Sequence, residues 1–308
     1  MSPVTARGLR TTIFHQSRHL KEQDTYDCST TCPICGLATG RSIVGRIQFD
    51  PDILLLECHN CHGASASRMP QPRILEEFYR QYYRPEEQLH VTFHNPARFA
   101  RHIAGLIPHG WFAEKNLLKI LDFGGGDGSL ALALEARLPI EGQITVVDYE
   151  EGHAADGLIR WERSLDEAVG PFDLILASAV LEHIPEVQPV FGQLFARLAS
   201  GGICYARTPW VAPYMKRFKP FDFTYPGHVH DMGAGFWNRV PRTFRLEADL
   251  LASRTSIVET DFSRNFWRTL TAHVIKAPAL VEQLVRPGAP DPWWNYAGSW
   301  EVLLMKRD

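Results

Sequence analysis

The sequence predicts an α/β fold preceded by a small cysteine-rich module. At residues 120–129 an apolar strand ends in an acid and passes directly into glycines and a helix. Two further apolar runs of strand length lie at residues 144–147 and 172–178, and a helical stripe of apolar residues follows the second. Five of the six cysteines lie between positions 28 and 61. The strands and helices predict one domain, and the cysteine cluster predicts a separate module before it.

The glycine run after the first of these strands has the features of a ligand-binding loop. Glycines at 124, 126 and 128 remove side chains, so the backbone can turn sharply and approach a ligand closely. The segment that begins at Ser129 presents the free N–H groups of a helix start. A dinucleotide fingerprint G-x-G-x-x-G counted from Gly124 would place its last glycine at position 129, which is Ser129. The spacing therefore weakens the NAD interpretation.

Two later elements accompany this loop. Residues 144–149 form a β-rich run that ends in Asp148 and Tyr149, where a carboxylate can accept hydrogen bonds from both hydroxyls of a ribose. The alternative for Asp148 is a turn or helix-cap acid. Residues 172–184 form a buried strand followed by Glu182 and His183, after which a helix and a further strand are expected up to residue 210.

Together these elements, over residues 118–210, resemble the class I S-adenosylmethionine-dependent methyltransferases. The acid-x-G-x-G-x-G pattern from Asp122 to Gly128 resembles motif I of that family, and residues 172–184 resemble its fourth motif. The resemblance implies a Rossmann-like, seven-stranded, mostly parallel sheet with helices on both faces. It also implies S-adenosylmethionine as cofactor, with contacts from Asp122, Phe123, Gly124, Gly126, Gly128, Asp148, Tyr149 and Ala177.

The cysteines have the spacing of a metal site. The pairs Cys32 with Cys35 and Cys58 with Cys61 make a C-x2-C…C-x2-C pattern with 22 residues between the pairs. Two such turns can complete the tetrahedral sulfur shell that structural zinc prefers. A disulfide framework is the alternative, and the lack of a secretory signal argues against it. Because four protein ligands leave no open coordination position, we expect this zinc to serve folding and not methyl transfer.

The expected organisation follows from these positions. Apolar residues at 74, 75, 78 and 82 follow a helical stripe, and Asn95-Pro96 can start a second helix before the glycine loop. Phe93 and His94 could touch the cofactor, or they could be a buried Phe and a surface His. The predicted parts are an N-terminal extension (1–27), a zinc-ribbon-like module (28–68), a helical connector or lid (69–115) and the methyltransferase domain (116–308), with an acceptor-site insertion at about 211–240.

Imidazoles are the candidates for acceptor chemistry, because hydroxyl or carbon acids need a base with a pKa near neutrality. His183 follows the fourth motif at the carboxyl end of a strand, and a structural histidine at a helix start is the alternative. In the insertion, an extended backbone would point His228 and His230 to one side, where Asp231 could orient one ring. This His-x-His-Asp run also permits a metal interpretation, and an ordered surface loop packed by its aromatic residues is the remaining alternative.

Composition limits the class of partner. The 308 residues carry a formal net charge of −3, which argues against a dedicated nucleic-acid binder. No segment approaches the roughly 20 apolar residues that span a bilayer. The first 27 residues lack an apolar run of signal-peptide length, so we expect a cytoplasmic protein. The oligomeric state is left open by the sequence.

The order of a knuckle module, a Tyr-rich helix and a class I domain resembles bacterial methyltransferases of sugar, surface-glycan and secondary-metabolite pathways. That resemblance implies O- or C-methylation of a small-molecule or glycan-like acceptor. One alternative is an RNA or protein methyltransferase that uses the zinc module to hold a macromolecule. Another alternative is a binding scaffold that keeps the fold without catalysis.

Overall fold

The computed structural model describes residues 8–82, 95–113, 115–149, 159–218, 220–260, 262–263, 265–287, 289 and 292–308. Phe93 and His94, two candidates for contact with the cofactor, lie outside these residues. The 150–158 part of the link that follows Asp148 also lies outside them.

Strands and helices alternate along most of the described chain. The strands are β1 (Thr25–Asp27), β2 (Arg41–Gln48), β3 (Ile53–Cys58), β4 (Ala64–Ala66), β5 (Arg68–Pro70), β6 (Leu118–Phe123), β7 (Gly142–Val147), β8 (Ile159–Glu162), β9 (Phe172–Ser178), β10 (Leu198–Trp210), β11 (His230–Asp231), β12 (Ala248–Thr255) and β13 (Gly298–Lys306). The α-helices are α1 (Ile13–Arg18), α2 (Pro72–Tyr82), α3 (Pro96–Ala104), α4 (Ser129–Glu135), α5 (Val187–Ala196), α6 (Ala212–Arg217), α7 (Ala234–Trp237), α8 (Val240–Thr243) and α9 (Phe266–Val285). Short 3-10 turns lie at Glu22–Asp24, His109–Phe112 and Leu181–His183.

The main sheet has seven strands in the order β12-β13-β10-β9-β6-β7-β8. Its pairs from β10 to β8 are parallel, and β13 runs antiparallel to both of its neighbours. The chain therefore reverses its direction of winding at β6 and β9, and a ligand crevice is expected at the carboxyl ends of those strands. The predicted seven-stranded, mostly parallel sheet is confirmed.

Helices cover both faces of this sheet, because successive side chains of a strand point to opposite faces. Ile120 of β6 packs in one core cluster with Ile103 of α3 and Leu134 of α4. The next residue, Leu121, packs in a different core cluster with Phe191 of α5. The helix on each side is thus held by alternate positions of the same strand.

A second sheet, in the order β11-β4-β3-β2, takes three of its strands from the N-terminal part of the chain, where Cys58 is the last residue of β3. Its edge strand β11 comes from the predicted acceptor-site insertion, and it pairs His230 with Ser65 and Asp231 with Ala64. One core cluster also joins Phe78 of α2 and Ile53 of β3 to Tyr225 of the insertion. The N-terminal segments and the insertion therefore form one packed body.

The predicted boundary between the zinc-ribbon-like module (28–68) and the connector (69–115) falls inside β5, so this part of the chain is structured. Strand β5 pairs antiparallel with β1, and Ser67 donates its backbone N–H to the carbonyl of Leu54.

None of the described helices combines the length and the apolar run that a membrane-spanning helix requires.

Candidate functional site

The predicted glycine loop lies between β6 and α4, at the crevice edge of the sheet. Gly124 and Gly128 have φ of 67° and 69°, in the left-handed region that favours glycine. A Cβ on Gly124 would lie 2.3 Å from Val180 Cγ2, and one on Gly128 would lie 2.6 Å from Ile159 Cδ1. The loop thus needs glycine both for its backbone angles and for its close approach to neighbouring strands.

Asp148 meets this loop directly. It follows the last residue of β7, and its Oδ2 accepts a hydrogen bond of 2.8 Å from the backbone N–H of Gly126. The structure therefore brings the second acid of the sequence pattern into contact with the glycine run. A carboxylate that bonds a loop amide holds that loop in one geometry.

Asp122 lies beneath the loop, where its carboxylate has a hydrogen bond with the backbone of Ala131. Its side chain is buried, and its Oδ2 has no hydrogen-bond partner among the residues that the structure describes. Burial, followed by repulsion from Asp148 and Asp127, raises the pKa of Asp122 to about 7. A Cβ on Gly125 would lie 2.5 Å from Asp122 Cγ, so the loop closes over the carboxyl group. A cationic ligand at this point would favour the ionised acid.

The other cofactor candidates occupy three different environments. Phe123 is partly buried against the core cluster that contains α5. Ala177 is fully buried in β9, paired with Ala206 of β10. The Tyr149 side chain is 74% exposed beyond the end of β7. The indole Nε1 of Trp161 in β8 is buried without a partner in the described part of the chain.

The four predicted zinc ligands lie together. The sulfur atoms of Cys32 and Cys61 are 3.8 Å apart and those of Cys35 and Cys58 are 3.9 Å apart, and all four lie within 4.8 Å of one another. A tetrahedron of Zn–S bonds of about 2.3 Å has edges of about 3.8 Å, so the donor set fits zinc. All six cysteines are free thiols, which excludes the disulfide alternative in this structure.

Backbone and side-chain amides complete the surroundings of these sulfurs. Asn60 donates its backbone N–H to Cys58 Sγ at 3.4 Å and its side-chain amide to Cys35 Sγ at 3.7 Å. Such N–H···S contacts orient thiolates and favour their charged form. The four cysteines are buried in the same core cluster as Phe191 and Phe236, so they pack against the α5 side of the main sheet.

His183 and His228 meet at the carboxyl end of β9, although they belong to different loops. His183 ends the 3-10 turn after β9, and His228 precedes β11. Their rings contact edge to face, with centroids 4.6 Å apart. The hydroxyl of Tyr79, from α2, lies 2.9 Å from Nδ1 of His183. The turn that carries His183 begins beside Val180, which lies close to Gly124 of the glycine loop.

Glu182 extends this cluster. Its side chain is buried, and its Oε2 has no hydrogen-bond partner among the described residues. Burial raises the pKa of Glu182 to about 8. Potential ligand atoms of Glu182, His183 and His228 all lie within 4.8 Å of one another. We refer to Tyr79, Glu182, His183 and His228 as the acceptor cluster.

His230 and Asp231 make different contacts from those that the sequence suggested. The His230 side chain is fully buried, with Nε2 2.8 Å from the carbonyl oxygen of Ile184, and burial lowers its pKa to about 4. Asp231 accepts hydrogen bonds from the backbone N–H groups of Val211 and Ala212, at the start of α6. These bonds fix the insertion against its neighbours. The sequence predicted that Asp231 could orient an imidazole ring, whereas its carboxylate accepts hydrogen bonds from a backbone turn.

Sequence reasoning missed Arg207, which lies in β10 beside Ser178. Its side chain is 2% exposed, its Nε donates to Ser178 Oγ at 3.2 Å, and it forms an ion pair with Glu259. Its guanidinium lies 4.9 Å from the ring centroid of Phe99 in α3, and its Nη2 lacks a hydrogen-bond partner among the described residues. A lone arginine near the end of a buried strand was the signal available in the sequence.

Comparison with known proteins bears on this crevice. A model of a family described as "Methyltransferase domain" matches residues 94–243. No curated protein matches the chain. The solved structure of 1,6-didemethyltoxoflavin-N1-methyltransferase from Burkholderia thailandensis is similar, with 13% identity, coverage of 83% of this chain and 96% of that chain, and a TM-score of 0.50.

Two other solved structures are more distant in shape. The plantazolicin methyltransferase BamL shares 10% identity over 77% of this chain and 92% of its own, with a TM-score of 0.45. The [4+2]-cyclase SpnF shares 16% identity over 68% of this chain and 80% of its own, also with a TM-score of 0.45. At such identities the likeness concerns the fold.

Proposed function

We propose that this S-adenosylmethionine-dependent methyltransferase, whose residues 94–243 match the methyltransferase-domain family, methylates an oxygen or carbon atom of a small-molecule or glycan-like acceptor. The contact between the Gly126 N–H and the Asp148 carboxylate, above the buried acid of Asp122, carries the cofactor part of this proposal. It brings together the loop and both acids that an adenosyl sulfonium donor needs.

On the cofactor side, the residues fit S-adenosylmethionine. The cradle from Gly124 to Gly128 has no room for a Cβ at either end, so the backbone itself lines the crevice. Asp148 holds the ribose hydroxyls, and Asp122 supplies negative charge toward the cationic end of the donor. The bound cofactor supplies a methyl group that its sulfonium has already activated. The protein therefore has to align the acceptor and assist the loss of its proton.

On the acceptor side, we assign the alignment of the acceptor and the loss of its proton to the acceptor cluster. His183 and His228 act on the acceptor atom, and the Tyr79 hydroxyl fixes the ring of His183 through Nδ1. His230 and Asp231 hold the insertion in place through their backbone partners. The N-terminal body, joined to the insertion by the pairing of β4 with β11, covers this part of the crevice.

The charge of the chain and one structural neighbour favour a small acceptor. The formal net charge of −3 argues against a dedicated nucleic-acid binder, for which a basic domain is usual. The Burkholderia thailandensis neighbour is described with a small heterocycle, 1,6-didemethyltoxoflavin, and S-adenosylhomocysteine bound. Both support a small acceptor over a macromolecular one.

The test is turnover of the cofactor with a panel of acceptors. Sugars, phenols and heterocycles are incubated with methyl-labelled S-adenosylmethionine, and S-adenosylhomocysteine and labelled products are measured by mass spectrometry. Activity with at least one small acceptor that disappears in Asp148→Ala is expected. Label transfer confined to RNA or protein would contradict the proposal.

A further inference from the structure

We propose that Glu182, His183 and His228 form a second metal site, which binds a divalent transition-metal ion such as Zn²⁺ at the acceptor end of the crevice. This site is separate from the four cysteines. Its ligand set is one carboxylate and two imidazoles, a combination that zinc accepts in sites with an open coordination position.

The first argument is geometric. One ligand atom from each of the three side chains lies within 4.8 Å of the other two. In a tetrahedral site two metal–ligand bonds of about 2.1 Å place their ligand atoms about 3.4 Å apart, so the ligand atoms have to approach one another by at most about 1.4 Å. His183 and His228 are partly exposed side chains at the ends of turns, and such positions can make this adjustment.

The second argument is the state of Glu182. This carboxylate is 1% exposed and its Oε2 has no hydrogen-bond partner in the described residues. The carboxylate has a hydrogen bond with its own backbone N–H, but a buried oxygen without a partner is costly, and a cation bound at Oε2 removes that cost. The charges closest to it, Arg207, Glu259 and Asp231, do not form an ion pair with it among the described contacts.

The third argument concerns orientation. A metal-bound imidazole is fixed by the hydrogen bond that its other nitrogen makes. The Tyr79 hydroxyl lies 2.9 Å from Nδ1 of His183 and holds the ring in one orientation. Tyr79 is therefore a positioning residue.

The role of the ion rests on the proposed function, whereas its binding does not. The three protein ligands leave a fourth position for an oxygen of the acceptor. A hydroxyl bound there would lose its proton to solvent water near neutral pH, because the ion stabilises the oxyanion. In this arrangement His183 and His228 would assist deprotonation through the ion and would not accept the proton themselves. The oxyanion then attacks the sulfonium methyl group, the carbon–sulfur bond breaks, and S-adenosylhomocysteine leaves with the electron pair.

The test is the metal content of the full chain, purified and loaded with Zn²⁺ and then desalted. Wild type is expected to hold two ions per chain. Glu182→Gln and His228→Ala are each expected to hold one, and Glu186→Gln, a neighbouring exposed acid, should keep two. Circular dichroism and thermal melting show whether each variant is folded, and two separate variants keep the test valid if one fails to fold.

Cobalt gives an independent readout. With Co²⁺ the cysteine site has intense thiolate-to-metal absorption, whereas a carboxylate–imidazole site has only weak visible bands. Loss of those weak bands alone in His228→Ala supports the proposal. One ion per chain in both wild type and Glu182→Gln would overturn it. If the second ion is absent, an equal Kd for S-adenosylmethionine in wild type and Glu182→Gln would leave the proposed function unaffected.

Discussion

Gly126 donates its backbone N–H to the carboxylate of Asp148 across 2.8 Å, and this bond joins the ends of the first two parallel strands of the sheet. The contact places an acid at the rim of a loop whose backbone must remain bare, as the close approach of Val180 to Gly124 requires. We therefore propose that the cofactor is bound by the backbone of this loop and by the side chains of Asp122 and Asp148.

Replacement of Asp148 separates its two roles. We expect Asp148→Ala to weaken cofactor binding by about 1.5 to 3 kcal/mol, because a charge-assisted hydrogen bond to the ribose is lost. Asp148→Asn keeps an oxygen that can accept from the Gly126 N–H, so it should retain the loop and lose less affinity. Calorimetry with S-adenosylhomocysteine measures both variants, and an unchanged Kd in Asp148→Ala would exclude the ribose role.

Asp122 makes cofactor affinity depend on pH. Its pKa of about 7 means that the acid is largely neutral below that pH without ligand, whereas a cationic donor prefers it ionised. Affinity for S-adenosylmethionine should therefore rise with pH through 7 and then level off, with a slope of at most about tenfold per unit. Asp122→Asn should flatten the profile. A flat wild-type profile between pH 6 and 8 would contradict this role.

Loss of the cysteine-bound ion should unfold the body that covers the acceptor cluster. Cys58→Ser, or treatment with a strong chelator, is expected to lower Tm by about 10 °C, because metal binding contributes directly to folding. Cys28→Ser is the matched control. Because Cys28 lies outside the group of four sulfurs, this variant should keep the ion that the other four cysteines bind. Metal analysis with scanning calorimetry checks both variants. Equal melting of the two serine variants would refute the ligand assignment.

His15 predicts acid lability at the junction between α1 and the insertion. Burial lowers its pKa from 6.5 to about 4, and its ring lies edge to face against Tyr225. Between these pH values the unfolded chain binds a proton that the folded chain does not. The free energy of unfolding should therefore fall by up to about 3 kcal/mol as pH drops from 6.5 to 4.

Urea unfolding across this pH range measures that slope. His15→Gln should reduce it, and His230, whose pKa is lowered in the same direction, accounts for part of what remains. The exposed His109 serves as control, because His109→Gln should leave the slope as in wild type. A slope that His15→Gln does not change would assign the acid lability to other groups.

Features with a local cause were predictable from the sequence. The strand–glycine–helix unit at Gly124 and the two cysteine pairs are encoded within a few residues, so position alone identifies them. The seven-stranded, mostly parallel sheet followed from the family resemblance. The second half of the sheet was harder, since the sequence predicted a helix and a strand before residue 210 without the boundary that the structure places at Leu198, where β10 begins.

Features that depend on distant partners could not be predicted. Strand β11 is two residues long, and only its pairing with β4 makes it a strand. That pairing buries His230 and leaves His228 against His183, so two histidines that looked equivalent take different roles. The contacts of Arg207 likewise come from Glu259 and Phe99, which lie far from it in the chain.

Calorimetric titration of the full chain with S-adenosylmethionine tests the central claim most directly. We predict saturable binding at one site per chain, with competition by S-adenosylhomocysteine and weaker binding in Asp148→Ala. No heat of binding at millimolar cofactor, or binding of a nicotinamide dinucleotide in its place, would contradict the account.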